Sequence, residues 1–134
     1  MDFLKNELKS EYKKIRNFLL TDFNTKRWEG INIQNVKSQV EELNEKINKI
    51  GCLFGEIGHP ETFDISLRAS HSIKNLTFED GKVYGDVEFL DNDEGKKAYD
   101  LITNMNCKFG LRSVGIKNDE IIIKSILTWD VINK

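Results

Sequence analysis

The dipeptide Asp80-Gly81 restricts the fold of this chain more than any other sequence feature. Asp-Gly readily adopts the positive φ angles that the tight turn of a β-hairpin requires. Long extended runs lie on either side of it, at residues 65–78 and 83–90. We therefore predict that these two runs pair as neighbouring antiparallel strands.

Three stretches of the chain carry apolar residues at helical spacing. They cover residues 3–20, 34–50 and 92–105, where apolar side chains recur every three or four positions. Gly51 stands where a C-terminal helix cap belongs, and Asp91 begins a variant of the capping box before the third helix. The residues expected on the buried faces of the second and third helices are Val36, Val40, Leu43, Ile47, Ile50, Ala98, Leu101, Ile102 and Met105.

Locally paired strands separated by helices predict the fold class. Further strands are expected at residues 52–57, 107–116 and 121–132, and a polar turn joins the last two. This order predicts an α+β fold, with a mainly antiparallel β-barrel or sheet and flanking helices. A chain of 134 residues has room for one sizeable core. We expect an N-terminal amphipathic helix over residues 1–21 and one domain over residues 22–134.

Charge and cysteine content narrow the classes of function. The chain has 20 basic and 22 acidic residues and a net charge of −2, so we expect no specific nucleic-acid binding and no membrane attraction. No run of about 18 apolar residues is available to span a bilayer. Cys52 and Cys107 match no zinc or redox spacing, and neither histidine belongs to a metal-ligand cluster. We expect no metal, no cofactor and a reducing cytoplasm as the setting.

Four polar side chains stand in unusual surroundings. Two glycines and a proline frame His59 in a turn that would project the imidazole from a strand edge; an ordinary surface turn is the alternative. Ser113 lies between glycines in a strand, as a nucleophile or as an ordinary strand serine. Asp130 interrupts an apolar strand, where a carboxylate needs a histidine or arginine partner. His71 is expected to make a structural hydrogen bond to the backbone, with a third catalytic residue as the alternative.

The segments that carry these four side chains, taken in their order along the chain, resemble segments of the prohead maturation proteases of tailed bacteriophages. That family shares its fold with the herpesvirus assemblin proteases. Gly55-Glu56-Ile57-Gly58-His59-Pro60 is similar to the family's Gly-Glu-Leu-x-His-Pro segment, and Trp129-Asp130-Val131 to its aromatic-Asp-Val. The resemblance covers about residues 22–132 and implies His59 as general base and Asp130 as orienting acid. It also implies capsid, scaffold or other virion proteins as partners, an oligomer, and a location in the procapsid or virus particle, with assembly in the host cytoplasm.

The nucleophile segment departs from the family pattern. The family's Gly-x-Ser-Ser-Arg-Gly falls on residues 110–115, which places Arg112 at the attacking serine and Ser113 at the serine after it. Because successive strand side chains point to opposite faces, Ser113 faces away if Arg112 faces the site, unless a bulge intervenes. Arg112 stays protonated at neutral pH and would instead form a salt bridge with Asp130. The helix predicted at residues 3–20 also replaces the family's first strand, and the chain ends without the family's Pro-Ser segment.

Three hypotheses of function follow. The first is a virus capsid assembly or maturation protein that is non-catalytic or structural, because Arg112 occupies the nucleophile position. The second is an active serine endopeptidase that cleaves scaffold and capsid precursors, with Ser113 as nucleophile, His59 as base and Asp130 as orienting acid. The third is an unrelated α+β binding module whose similarity is accidental.

Overall fold

The computed structural model describes residues 13–58 and 68–134. The elements in chain order are β1 (Lys14–Asp22), a 3-10 turn (Lys26–Trp28), α1 (Ile33–Ile50), β2 (Leu53–Gly55), β3 (His71–Glu79), β4 (Lys82–Phe89), α2 (Asp93–Thr103), β5 (Cys107–Lys117) and β6 (Ile121–Asn133). The strands within each sheet are antiparallel, which confirms the predicted α+β class.

The strands form two sheets that β6 brings together. One sheet has four strands in the order β1-β4-β3-β2, and the other is the β5-β6 hairpin. Short parallel bridges join Ile57 to Val131 and Ile31 to Ile121. At the first bridge, the N–H of Val131 donates to the carbonyl of Glu56 at 2.8 Å, and the N–H of Gly58 donates to the carbonyl of Val131 at 2.7 Å. The segment after β2 is thereby fixed against the C-terminal strand.

The β3-β4 hairpin has the turn that its sequence predicts. Asp80 and Gly81 adopt φ angles of 52° and 77°, and Glu79 pairs with Lys82 across the turn. Two consecutive residues with positive φ match the twist of a tight antiparallel hairpin. The local turn chemistry therefore sets the register next to the turn, and a register shift follows on β3 between Lys74 and Thr77.

Helix α1 covers the sheets and is tied to two strands by asparagine side chains. The amide of Asn35 pairs with both backbone polar groups of Ile123 on β6, at 2.7 and 2.9 Å. Asn44 makes the same pair of contacts with Leu76 on β3, at 3.0 and 3.1 Å. Each clamp satisfies a backbone N–H and C=O that would otherwise need another partner. The predicted apolar face lies beneath them, with Val36, Val40, Leu43 and Ile47 buried.

The predicted N-terminal helix is wrong over the residues that the structure describes. β1 is a strand, and its N-terminal part pairs Ile15 with Val87 and Phe18 with Gly85 on β4. Between these two pairs, β1 advances by three residues and β4 by only two, so β1 contains one extra residue, a β-bulge. Asn17 lies in this bulge and has a φ of 52°. The bulge keeps Ile15 and Phe18 on one face at a spacing that imitates a helix.

The first strand is therefore present, and the expectation that a helix replaces it is wrong. β1 also runs across the expected domain boundary at residue 21, and Asp22 pairs with Lys82. The remaining part of the predicted helix, residues 3–12, lies outside the described residues. No helix of the described part of the chain is long and apolar enough to cross a membrane.

Smaller corrections concern the helix ends. The N-cap of α2 is Asn92 and not Asp91, because the Asn92 side chain accepts the N–H of Gly95 at 2.6 Å. Met105 was expected to face inward but is 69% exposed, because α2 ends at Thr103 and Met105 has a φ of 61°. Ile50, which was also expected to be buried, is 61% exposed. It is the last residue of α1, and Ile47 is the last buried residue of that helix.

Candidate functional site

The nucleophile segment of β5 places a buried arginine against Asp130. Gly110 pairs with Asp130 and Arg112 with Thr128, so the two side chains are diagonal neighbours across the β5-β6 hairpin. Arg112 Nε donates to Asp130 Oδ2 at 2.7 Å, and Nη2 donates to Oδ1 at 2.6 Å. The side chains are only 8% and 0% exposed. This is the bidentate geometry in which arginine binds carboxylates most strongly.

Glu56 completes a buried ionic cluster around Arg112. Its carboxylate accepts from Arg112 Nη2 at 3.4 Å, and its backbone N–H donates to Asp130 Oδ1 at 3.0 Å. The exposed guanidinium of Arg68 lies 3.8 Å from the other oxygen of Glu56. Two buried carboxylates thus share one buried guanidinium, with a second cation at the rim. Glu56 was not among the predicted site residues, although an acid next to a short apolar strand signals a buried partner.

The electrostatics keep Arg112 charged. The hydrogen bonds that Arg112 donates to Asp130 raise the pKa of Arg112 above its ordinary value. Burial lowers this pKa, but the charges of Asp130 and Glu56 add to the upward shift. A guanidinium in this state offers hydrogen-bond donors but no lone pair for nucleophilic attack. The cluster can hold the β5-β6 hairpin against the segment after β2. It cannot perform acyl transfer by itself.

Ser113 lies on the opposite face of β5 from Arg112. Its partner is Ile126, and the register shift between Arg112 and Ser113 inserts the extra residue, Leu127, into β6 rather than β5. The side chains of β5 therefore continue to alternate between its two faces through this stretch. Only a bulge on β5 would turn Ser113 to the face of Arg112, and the bulge is on β6. Ser113 is exposed, whereas Arg112 and Asp130 are buried. The structure brings Asp130 to Arg112 and does not bring it to Ser113.

His59 lies outside the described residues, so its role as general base stays a prediction. The described part of the proposed triad consists of Ser113 and Asp130. The histidine within the described residues is His71, and its hydrogen bonds go to Ser70 and to the backbone of Trp129. It therefore does not serve as the base for Ser113.

His71 forms a buried pair with Ser70 beside the site. Its Nε2 lies 2.7 Å from the carbonyl oxygen of Trp129, which can only accept, so Nε2 carries the proton. Nδ1 is then the acceptor for the hydroxyl of Ser70, at 2.7 Å. This confirms the backbone hydrogen bond predicted for His71. Gly55 allows the close approach, because a Cβ at that position would collide with the imidazole and with the carbonyl of Trp129.

Burial makes the imidazole of His71 a weak base. Desolvation lowers the pKa of His71 to about 4, although the hydrogen bond to Trp129 and the charge of Asp130 act in the opposite direction. Ser70 and His71 have the short contact of a nucleophile and its base, but both are 0% exposed. The pair is therefore enclosed in the protein interior, where His71 joins β3 to the backbone of β6.

The described residues do not form a metal site. In residues 13–58 and 68–134, no three His, Cys, Asp or Glu side chains are grouped so that they could hold a metal ion. Cys107 is buried and Cys52 is half-buried, and neither is in a disulfide. The buried Asp, Glu and Arg side chains of the described residues are Glu56, Arg112 and Asp130, and all three belong to the ionic cluster.

Comparison with known proteins identifies a structural neighbour. No protein-family model and no curated protein matches the chain. Among solved structures, the bacteriophage T4 capsid assembly protease, gp21, is similar at a TM-score of 0.63 and 14% sequence identity. The match covers 78% of this chain and 71% of that chain. The chain therefore shares its fold with a phage capsid assembly protease, as the resemblance of its segments implies.

Proposed function

We propose that this chain is a capsid-assembly protein that uses the prohead protease fold without hydrolysing peptide bonds. One observation carries the proposal: a buried guanidinium, Arg112, stands at the position that the family resemblance gives to the attacking serine, and it is held there by Asp130. The fold shared with a phage capsid assembly protease supports the assembly part of the proposal.

Three physical features argue against catalysis. Arg112 supplies no nucleophile at neutral pH, because its guanidinium stays protonated. Both oxygens of Asp130 already accept from Arg112, so this carboxylate is committed to a cation other than an imidazolium. Ser113, the nearest hydroxyl in sequence, is exposed on the other face of β5. An active serine needs a base within hydrogen-bond reach, on its own side of the strand.

The proposed partners are capsid, scaffold or other virion proteins, and the proposed location is the procapsid or virus particle, reached from the host cytoplasm. An inactive protease fold would serve there as an assembled component, and association with further copies of the chain is part of the proposal. Kinship with the herpesvirus assemblin proteases remains a prediction from the sequence resemblance.

The proposal is tested in particles of the virus that would encode the chain. Mass spectrometry of purified procapsids should find the full-length chain, and Ser113→Ala should leave both assembly and the cleavage of capsid and scaffold precursors unchanged. Deletion of the gene should stop or distort assembly. Loss of precursor cleavage in Ser113→Ala or in His59→Ala would instead establish the active endopeptidase. Absence of the chain from particles, with normal assembly after deletion, would refute the assembly role.

A further inference from the structure

The two sheets leave an open seam between β1 and β5. Each of these strands is at the outer edge of its sheet, and within residues 13–58 and 68–134 no further strand pairs with either edge. The rings of Phe18 on β1 and Phe109 on β5 meet edge to face at 5.5 Å, and Trp129 of the neighbouring β6 donates from Nε1 to Thr21 Oγ1 at 2.7 Å. Two unpaired strand edges thus face each other across an aromatic floor.

A groove of about 630 Å³ follows this seam. Apolar side chains from β1, α2 and β5 line it, including Phe18 and Phe109 on the floor. At its margins, Leu19 is 43% exposed and Met105 is 69% exposed. Large apolar side chains grouped around a groove mark a binding surface more often than isolated ones do.

The edge of the groove is basic on a chain that is slightly acidic overall. Arg27, Lys108 and Lys134 line it and are exposed. The only carboxylate side chain among its described lining residues is Asp22, which already accepts the backbone N–H of Asn24 at 2.9 Å. The charge of the groove therefore complements an acidic ligand.

The strand edges favour an extended ligand, and β5 is the better edge to pair with. β1 has two register irregularities, and such bulges interrupt the regular spacing of its free backbone groups. β5 keeps an unbroken register with β6 from Cys107 to Arg112. Side chains of an added strand would point alternately to its two faces, one set toward Phe109 and the other toward Lys108.

We propose that this groove binds an extended segment of a partner protein in which apolar and acidic residues alternate, by strand addition to the outer edge of β5. The apolar side chains cover the floor, and the carboxylates face Lys108 and Arg27. The inference stands apart from the proposed function, because the groove is not lined by Arg112, Ser113 or Asp130.

A fluorescein-labelled nonapeptide of alternating valine and glutamate tests the proposal with the full chain. We expect saturable binding in fluorescence anisotropy, and at least a tenfold loss when lysine replaces each glutamate or when alternate backbone amides are N-methylated. Lys108→Glu should weaken binding roughly fivefold, the effect of about one exposed ion pair. Lys117→Glu, the same exchange at the exposed far end of β5, is the matched control and should change affinity less than twofold.

Several results would overturn this inference. They are the absence of saturable binding, equal binding of the lysine peptide, and equal effects of Lys108→Glu and Lys117→Glu. Binding seen only in the full-length double variant Phe3→Asp/Leu4→Asp would identify the chain's own N-terminal segment as the occupant and overturn it too. A dimer in light scattering that Leu19→Asp dissociates, without peptide binding, would assign the groove to a second copy and overturn it equally.

Discussion

Removal of the guanidinium from the ionic cluster should destabilise the protein severely. In Arg112→Met, the side chain keeps much of its apolar volume but leaves the carboxylates of Asp130 and Glu56 without the cation between them. Both carboxylates are buried, at 0% and 4% exposed, and water cannot easily replace the lost donors. Breaking a buried ion pair by removing one partner typically costs about 3–5 kcal/mol.

That loss would be a large fraction of the total stability. Domains of this kind unfold at a cost of about 5–15 kcal/mol, so the melting temperature should fall by roughly 10–20 °C. Adding Asp130→Asn should recover at least half of the loss, since the amide oxygen still accepts the N–H of Glu56.

Urea unfolding followed by tryptophan fluorescence measures the effect, because Trp129 is fully buried. Arg68→Met is the matched control: this guanidinium also faces Glu56, at 3.8 Å, but is 69% exposed. Its removal should cost less than about 1 kcal/mol. If Arg112→Met loses no more stability than Arg68→Met, the buried cluster is not the structural element that we infer.

Three further predictions concern stability. Because the pKa of His71 falls to about 4 in the folded state, the unfolded chain binds a proton there first, and the free energy of unfolding should fall by about 3 kcal/mol as the pH drops from 6.5 to 4. Urea unfolding of His71→Gln should lack this pH dependence, and an equal pH dependence in both proteins would contradict the prediction. Gly95→Ala should destabilise by at least about 2 kcal/mol in thermal unfolding, since the new Cβ would collide with the carbonyl of Leu90; a gain in stability, as Ala gives in an open helix, would show that no close approach exists. Asn44→Ala should cost about 2 kcal/mol, because it leaves two backbone groups of β3 unpaired, whereas the exposed Asn48→Ala on the same helix should cost little; equal effects would rule out the clamp.

The strand pairing was predictable because its signals are local. The turn at Asp80-Gly81 needs only two residues with positive φ, and the apolar face of α1 needs only its own periodicity. β1 was not predictable by the same route. Its bulge at Asn17 gives a strand the apolar spacing of a helix, and periodicity alone does not distinguish the two.

The candidate site was predictable only in part. An acid inside an apolar strand predicted a histidine or arginine partner for Asp130, and the family resemblance, which placed Arg112 at the nucleophile position, indicated Arg112 as that partner. Glu56 was missed because its contacts depend on the bridge between β6 and the segment after β2, which brings together residues 74 positions apart. The face of Ser113 depends on which strand of the hairpin carries the bulge, and no local signal distinguishes β5 from β6.

The reactivity of Ser113 tests the central claim most directly. Full-length protein is incubated with an excess of a fluorophosphonate probe at neutral pH, and the intact mass is measured beside Ser113→Ala. We expect no adduct on either protein, because the hydroxyl of Ser113 lies on the face of β5 opposite Arg112 and Asp130. A stoichiometric adduct on the wild type that is absent from Ser113→Ala would contradict this and establish a working serine nucleophile.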